Sequence, residues 1–169
     1  MKNLYIDFDG VILDTITVTY RMMNELNIDK KDSEAIRKFY YDFDWKQGLK
    51  EIPVLNDSIN MIKLLEKSEK FRIFVLTHVI SLKEGVEKIK YLKKLLPNVS
   101  VIIVPKELEK IMVVNPNNSI LVDDYSGNLR IWKNHGGISI KFSLKEESNE
   151  FPVISSLDKI LDIIYQPNI

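Results

Sequence analysis

A chain of 169 residues, 45% of them hydrophobic, is long enough for one domain with an inserted piece and apolar enough to bury a full core. Lys+Arg and Asp+Glu both number 24, so no net field draws the protein to a nucleic-acid polymer or an anionic membrane. Cysteine is absent, which excludes disulfides, Cys–zinc centres and thiol nucleophiles, and two histidines, His78 and His135, are too few for a His-rich metal site.

In chain order, the first apolar run is "NLYIDF" (3–8), a predicted strand. It leads into "DFDGVILD", where Asp7, Asp9 and Gly10 stand at the strand's mouth. Buried acids are costly unless they are paired or bind a metal. From Thr15 to about Ile52 there is no strand signal, and helical segments fit around 15–26, 33–41 and 42–51. This region reads as a small helical cap (15–52) inserted after strand one of a core formed by 1–14 and 53–169. Its stretch "KFYYDFDWKQ" holds Phe39, Tyr40, Tyr41, Phe43 and Trp45. Either these aromatics pack the cap on the core, or they line a pocket where a base stacks. Phe43 and Trp45 are the chosen pocket residues.

A helix follows at 58–70, then the strand "FRIFVLT" (71–77), which leads to Thr77 and His78. The helix at 81–96 repeats Leu82, Val86, Ile89, Leu92 and Leu96, with Ser81 and Glu84 as a capping box. Lys83 and the other lysines of 83–94 read as its solvated face. The strand "VSVIIVP" (99–105) runs into "PKELEK", with Lys106 and Lys110, and "SILVDD" (119–124) ends in Asp123 and Asp124. A short helix (126–137) stopped by Gly136 and Gly137, a weaker strand (137–142) and a last helix (155–165) complete the chain. The strands are short, continuous and β-branched, and they alternate with helices. That predicts an α/β fold with a mostly parallel sheet buried on both faces. The N-terminus shows no charged segment before a long apolar one, and no run reaches membrane-span length. A cytoplasmic location is the expectation.

In such sheets ligands sit beyond the C-terminal strand ends. Four predicted strands deliver there Asp7 and Asp9, Thr77 and His78, Lys106 or Lys110, and Asp123 and Asp124. Carboxylates at this density suit a hard cation such as Mg²⁺. A lysine, a hydroxyl and helix N-termini suit an anion. The set describes a phosphate with its Mg²⁺.

These motifs resemble those of the haloacid dehalogenase-like (HAD) phosphatases. "IDFDGV", "VLT", a following lysine and "LVDD" occur in the order that family uses. A narrower resemblance lies in "ILVDDYSGNLRIWKNHGGISIKF", with Asn128, Trp132, Gly136 and Gly137 placed as in the 5′(3′)-deoxyribonucleotidases. The resemblance implies a HAD-like Rossmannoid core. It implies Asp7 as a nucleophile forming an aspartyl-phosphate and Asp9 as general acid and base. Mg²⁺ would be held by Asp7, the Asp9 backbone carbonyl, Asp123 and Asp124. Thr77 and a lysine would hold phosphoryl oxygens, with the His78 backbone N–H facing the phosphate and Gly10 letting the loop approach it. Lys110 is the preferred lysine and Lys106 the alternative. The expected substrate is a small phosphomonoester, a nucleoside monophosphate before a sugar or amino-acid phosphate. A non-catalytic phosphate sensor on the same fold is the rival reading.

Overall fold

The computed structural model describes residues 1–145 and 147–165. Its centre is a six-stranded sheet, parallel throughout: β1 (Lys2–Ile6), β2 (Phe71–Val79), β3 (Ser100–Pro105), β4 (Ile120–Asp123), β5 (Ile138–Phe142) and β6 (Val153–Ile154). The spatial order is β3-β2-β1-β4-β5-β6. β1 therefore lies between β2 and β4, with Ile6 opposite both Val75 and Val122. That placement explains its unbroken apolar run, since Leu4 and Ile6 are fully buried among neighbours on both sides.

Between β1 and β2 the chain forms α1 (Thr15–Glu25), α2 (Ser33–Asp42), α3 (Trp45–Glu51) and α4 (Ser58–Lys67). It leaves and returns side by side, because the Asp14 N–H donates to the Pro53 carbonyl at 2.9 Å and the Leu55 N–H to the Ile12 carbonyl at 2.9 Å. The aromatic residues of the intervening helices are core residues: Phe39, Phe43 and Trp45 belong to the same buried cluster as Phe8, Ile12 and Leu92. Local chemistry sets the helix starts. Asp32 accepts from the Glu34 and Ala35 N–H groups, and Asp44 accepts from Gln47 N–H at 3.1 Å. The second Asp-x-Asp of the sequence, Asp42 and Asp44, thus supplies a helix cap.

α5 (Leu82–Leu95) follows β2, α6 (Ser126–Asn134) follows β4, and α7 (Ile160–Tyr165) closes the described chain. Two expectations are corrected, at the end of β2 and on the face of α5. β2 extends to Val79, so Thr77 and His78 lie within it, opposite Ile103 and Val104 of β3. Nothing in "THV" breaks an extended backbone. The segment between β3 and β4 is a turn followed by a single 3₁₀ turn at Lys110–Met112, with no α-helix from 106 to 110. On α5 the buried face is Glu84, Gly85, Lys88 and Leu92, while Leu82 and Val86 are 78% and 46% exposed. The first turns of α5 lie beside the C-terminal end of β2 and face a polar cluster there. The apolar residues of those turns are therefore the ones turned outward.

Candidate active site

Each acid of the predicted set reaches the same sheet edge by a definite route. Asp7 is the first residue beyond β1, anchored by its N–H to the Val122 carbonyl at 2.9 Å. Asp123 ends β4, fully buried, and its Oδ1 accepts from Tyr125 N–H at 2.9 Å. Asp123 Oδ2 accepts from Asn128 Nδ2 at 2.9 Å and from Lys110 Nζ at 2.6 Å. Lys110 reaches Asp7 Oδ1 at 2.8 Å as well, so one buried ammonium joins the ends of β1 and β4. Lys106 stands elsewhere: it is exposed and lines the adjoining cavity.

Asp7, Asp123 and Asp124 each offer an oxygen within 4.8 Å of the others. With all three carboxylates ionised, Lys110 as their paired cation would leave two negative charges in excess. The excess shows in the ionisation. Burial first, then the Asp123 and Asp9 charges, lifts Asp7 to about 7 despite Lys110. Burial first, then the charges of Asp7, Asp123 and Asp9, lifts Asp124 to about 8. Burial pulls Lys110 down, but Asp123 and Asp7 outweigh it and hold it above the usual lysine range. Three oxygens in reach of one point, with surplus negative charge, fit a divalent oxygen-seeking cation.

Gly10 serves this cluster through its missing side chain. It sits at φ +74°, and a Cβ there would lie 2.4 Å from Asp124 Oδ2. Gly10→Ala is expected to cost about 1–2 kcal/mol from the left-handed backbone alone. It would also displace Asp124. Calorimetric Mg²⁺ titration should show at least about tenfold weaker binding than wild type, a size typical of disturbed metal surroundings.

The other predicted residues occupy different parts of the edge. Thr77 is wholly buried and its Oγ1 donates to the His78 carbonyl at 3.2 Å and to Asp9 Oδ2 at 3.4 Å. His78 Nε2 lies 3.0 Å from the Leu108 carbonyl. A carbonyl only accepts, so Nε2 carries the proton. Burial first, then Lys110, lowers His78 to about 4, so the ring is neutral at pH 7 and pins the loop after β3. The same loop is held from α2, where Arg37 Nη2 meets Glu107 Oε1 at 2.6 Å.

Asp9 is not one of the three acids whose oxygens converge. Its Oδ2 accepts from Lys88 Nζ at 2.6 Å. Lys88 was expected on the solvated face of α5; it is buried instead, paired also with Glu84 Oε1 at 2.7 Å. Its i, i+4 spacing from Glu84 marks a helix pair but not its burial. Glu84 forms half of the expected capping box, since Ser81 Oγ accepts its N–H at 3.1 Å while its carboxylate takes the Ile80 N–H at 2.8 Å.

Asp7, Asp9, Asp123 and Asp124 open onto a cavity of about 370 Å³. Four aromatic residues also line it: Tyr20, Tyr40, Trp45 and Tyr125. Trp45 and Tyr40 are stacked with centroids 6.2 Å apart, and Trp45 Nε1 donates to the Tyr40 carbonyl at 3.1 Å. Phe43 does not line the cavity. It is a core residue, packed on Trp45 and over Gly48, where a Cβ would meet its ring at 2.5 Å. The local signal for Phe43 and Trp45 is the same, yet only Trp45 borders the cavity. Of the narrower motif, Asn128 holds Asp123, whereas Trp132 and Gly137 are a packing pair, since a Cβ on Gly137 would meet Trp132 at 2.2 Å.

No family model matches the chain, and no curated protein matches it in sequence. Solved structures do match in fold. A HAD-superfamily hydrolase of subfamily IA, variant 1, from Geobacter sulfurreducens PCA is 13% identical, with 97% of this chain and 100% of that one covered and a TM-score of 0.62. A HAD-superfamily hydrolase from Ehrlichia chaffeensis is 14% identical, covering 98% of each chain, with a TM-score of 0.58. A D,D-heptose 1,7-bisphosphate phosphatase from B. bronchiseptica, crystallised with magnesium and phosphate, is 14% identical over 99% of this chain and 100% of that one, with a TM-score of 0.58. The chain thus has the HAD-like α/β fold, and its structural neighbours are HAD-superfamily hydrolases.

Proposed function

We propose that the protein is a divalent-metal-dependent phosphomonoester hydrolase, with Mg²⁺ as its ion and a nucleoside monophosphate as its substrate. The observation that carries the reaction class is Asp7, ion-paired to Lys110 and within reach of a common cation with Asp123 and Asp124. In this reading Asp7, Asp123, Asp124 and the Asp9 carbonyl would hold Mg²⁺, whose charge would offset the repulsion between these acids and a dianionic phosphate. A carboxylate oxygen of Asp7 attacks phosphorus, and the bond from phosphorus to the leaving oxygen breaks. Asp9 gives that oxygen a proton. Water then attacks the aspartyl-phosphate, gives a proton to Asp9, and phosphate departs as the Asp7 carboxylate re-forms. Lys110, Thr77 and the N–H groups of the Gly10 loop and of His78 stabilise the phosphoryl oxygens.

The aromatic lining supports a planar substrate group, because base–aromatic stacking tolerates any base. A small sugar phosphate is the second reading, favoured by the bisphosphate phosphatase among the neighbours. Phosphate release from deoxynucleoside 5′- and 3′-monophosphates, ribose 5-phosphate and phosphoserine, with Mg²⁺ and with EDTA, separates the two. Release strongest from deoxynucleotides and lost in EDTA is the expected result. Preference for the sugar phosphate replaces the substrate and keeps the reaction; nucleotide binding with no release from any of them contradicts the enzyme. No described helix is long and apolar enough to cross a membrane. A cytoplasmic, small-molecule enzyme remains the proposal.

The raised acids also set a pH dependence. Asp7 and Asp124 stand at about 7 and about 8 against 3.8 for a free aspartate. A raised folded-state value means that folding takes up protons. The associated stability is present below the unfolded value and is lost as pH rises through the folded ones. The metal-free protein is therefore expected to lose thermal stability from about pH 4 to about pH 8. Mg²⁺ needs the deprotonated acids, so its thermal shift should be small near pH 5 and large near pH 8. A shift independent of pH, measured by scanning fluorimetry, contradicts the ligand set.

A further inference from the structure

Behind Asp9 lies a second buried charge cluster, made by α5. Lys88 is 0% exposed, a placement lysine almost never takes unless paired. Its ammonium meets Asp9 Oδ2 at 2.6 Å and Glu84 Oε1 at 2.7 Å, with longer contacts to Thr77 Oγ1 at 3.4 Å and the His78 carbonyl at 3.3 Å. The rings of Trp45 and Phe8 flank it, 4.8 and 5.1 Å from their centroids. Glu84 is itself fixed by the Ile80 N–H at 2.8 Å. The ammonium therefore has little freedom.

The two oxygens of Asp9 are treated differently. Oδ2 takes Lys88 and Thr77. Oδ1 has no hydrogen-bond partner, although it is buried and its residue lines the cavity. A salt bridge serving only stability has no reason to leave one carboxylate oxygen orphaned beside a cavity. A carboxylate that must hand a proton to a bound molecule needs that oxygen unoccupied.

We propose that Lys88, held by Glu84, is a positioning residue for proton transfer by Asp9: it locks Oδ2 and leaves Oδ1 to face the departing oxygen of the substrate. The proposal rests on the hydrolase reading above. When the bond from phosphorus to the leaving oxygen breaks, its electron pair stays on that oxygen, which takes the proton of Asp9 Oδ1. Asp9 is left as a carboxylate, and the Lys88 charge beside it stabilises the product of the transfer. An alkoxide leaving group depends on this step. A p-nitrophenolate, stable as an anion, does not.

The test compares wild type, Lys88→Met and the double variant Lys88→Met/Glu84→Gln, all full-length with Mg²⁺, and Asp7→Asn in the same series. First-turnover rates are measured by rapid quench on p-nitrophenyl phosphate and on the best alkyl monophosphate of the panel above. Loss of Lys88 is expected to slow the alkyl substrate about 100-fold and p-nitrophenyl phosphate by less than about threefold. The double variant, which removes both buried charges together, gives the same split should the single variant fail to fold. Equal losses on the two substrates, or no loss on either, overturn the positioning role. A wild type without Asp7-dependent release from either substrate overturns the hydrolase reading itself, and this assignment with it.

Discussion

Replacing Asp7 with asparagine is expected to lower phosphate release by roughly six orders of magnitude, the scale seen when an enzyme loses its nucleophile. The amide keeps the size of the carboxylate and can still accept from Lys110, but it cannot attack phosphorus as an anion. The fold should survive. Asp7 is buried and its ionisation is already opposed by its surroundings, so the neutral amide removes a cost at pH 8. Against that, Lys110 loses one of its two anions and keeps Asp123. The thermal midpoint should therefore move by no more than about 2–4 °C, equivalent to about 1 kcal/mol in a chain of this size. Activity lost together with a large drop in midpoint assigns Asp7 a structural role. Activity retained in a folded Asp7→Asn protein removes it as nucleophile.

Lys110→Met is the variant expected to damage stability most. It strips the shared cation from Asp7 and Asp123, both buried, and breaking a buried pair costs about 3–5 kcal/mol because the remaining charge has no compensation. Denaturant melts in EDTA read this directly. Adding Mg²⁺ should restore part of the loss, since a divalent ion can take over neutralisation of the same acids. Wild type should gain less from Mg²⁺ than the variant does. Activity should stay low even with Mg²⁺, because the phosphoryl oxygens lose a donor. Lys106→Met is the contrast: an exposed lysine, whose removal should change stability by less than about 0.5 kcal/mol. If the two variants melt alike, Lys110 is not the keystone between β1 and β4.

The parts of the molecule that were legible in the sequence are those where one signal has one physical source. The runs holding Leu4 and Ile6, Val75 and Leu76, and Ile120 to Val122 read as strands because both their faces are covered. The acids that follow them read as a site because nothing apolar explains a charge at the end of a buried strand. Helix caps were legible for the same reason, as at Ser81, whose Oγ takes the Glu84 N–H. Where two sources compete, the reading failed. On α5 the leucine and valine repeat predicts an apolar inward face, but a polar cluster at the sheet edge reverses the first two turns, and Lys88 goes in while Leu82 goes out. A buried lysine between two acids cannot be told from a solvated one by spacing alone, since both occupy i, i+4 with Glu84. Phe43 and Trp45 illustrate the same limit within three residues: both are buried aromatics, and only Trp45 borders the cavity. β6, two residues long, was missed because its ladder is shorter than any periodic signal.

The narrow motif in α6 also changes meaning once its contacts are known. Trp132 and Gly137 fill each other's space, and Asn128 steadies Asp123. Only Asn128 thus serves the strand end that carries Asp123; Trp132, whose Nε1 donates to the Ser119 carbonyl at 3.4 Å, and Gly137 lie at the opposite end of β4. The aromatic lining of the cavity comes from elsewhere: Tyr20, Tyr40 and Trp45 from α1, α2 and α3, and Tyr125 from the turn after β4.

The central claim is that Asp7 accepts the phosphoryl group. Acid quench of the wild-type protein during turnover, followed by peptide mass mapping, tests it most directly. A phosphoryl adduct on the peptide carrying Asp7, formed with Mg²⁺, absent in EDTA and absent from Asp7→Asn, is the predicted result. Sustained phosphate release from wild type with no protein-bound phosphoryl group at any quench time, or an adduct on another residue, would contradict it.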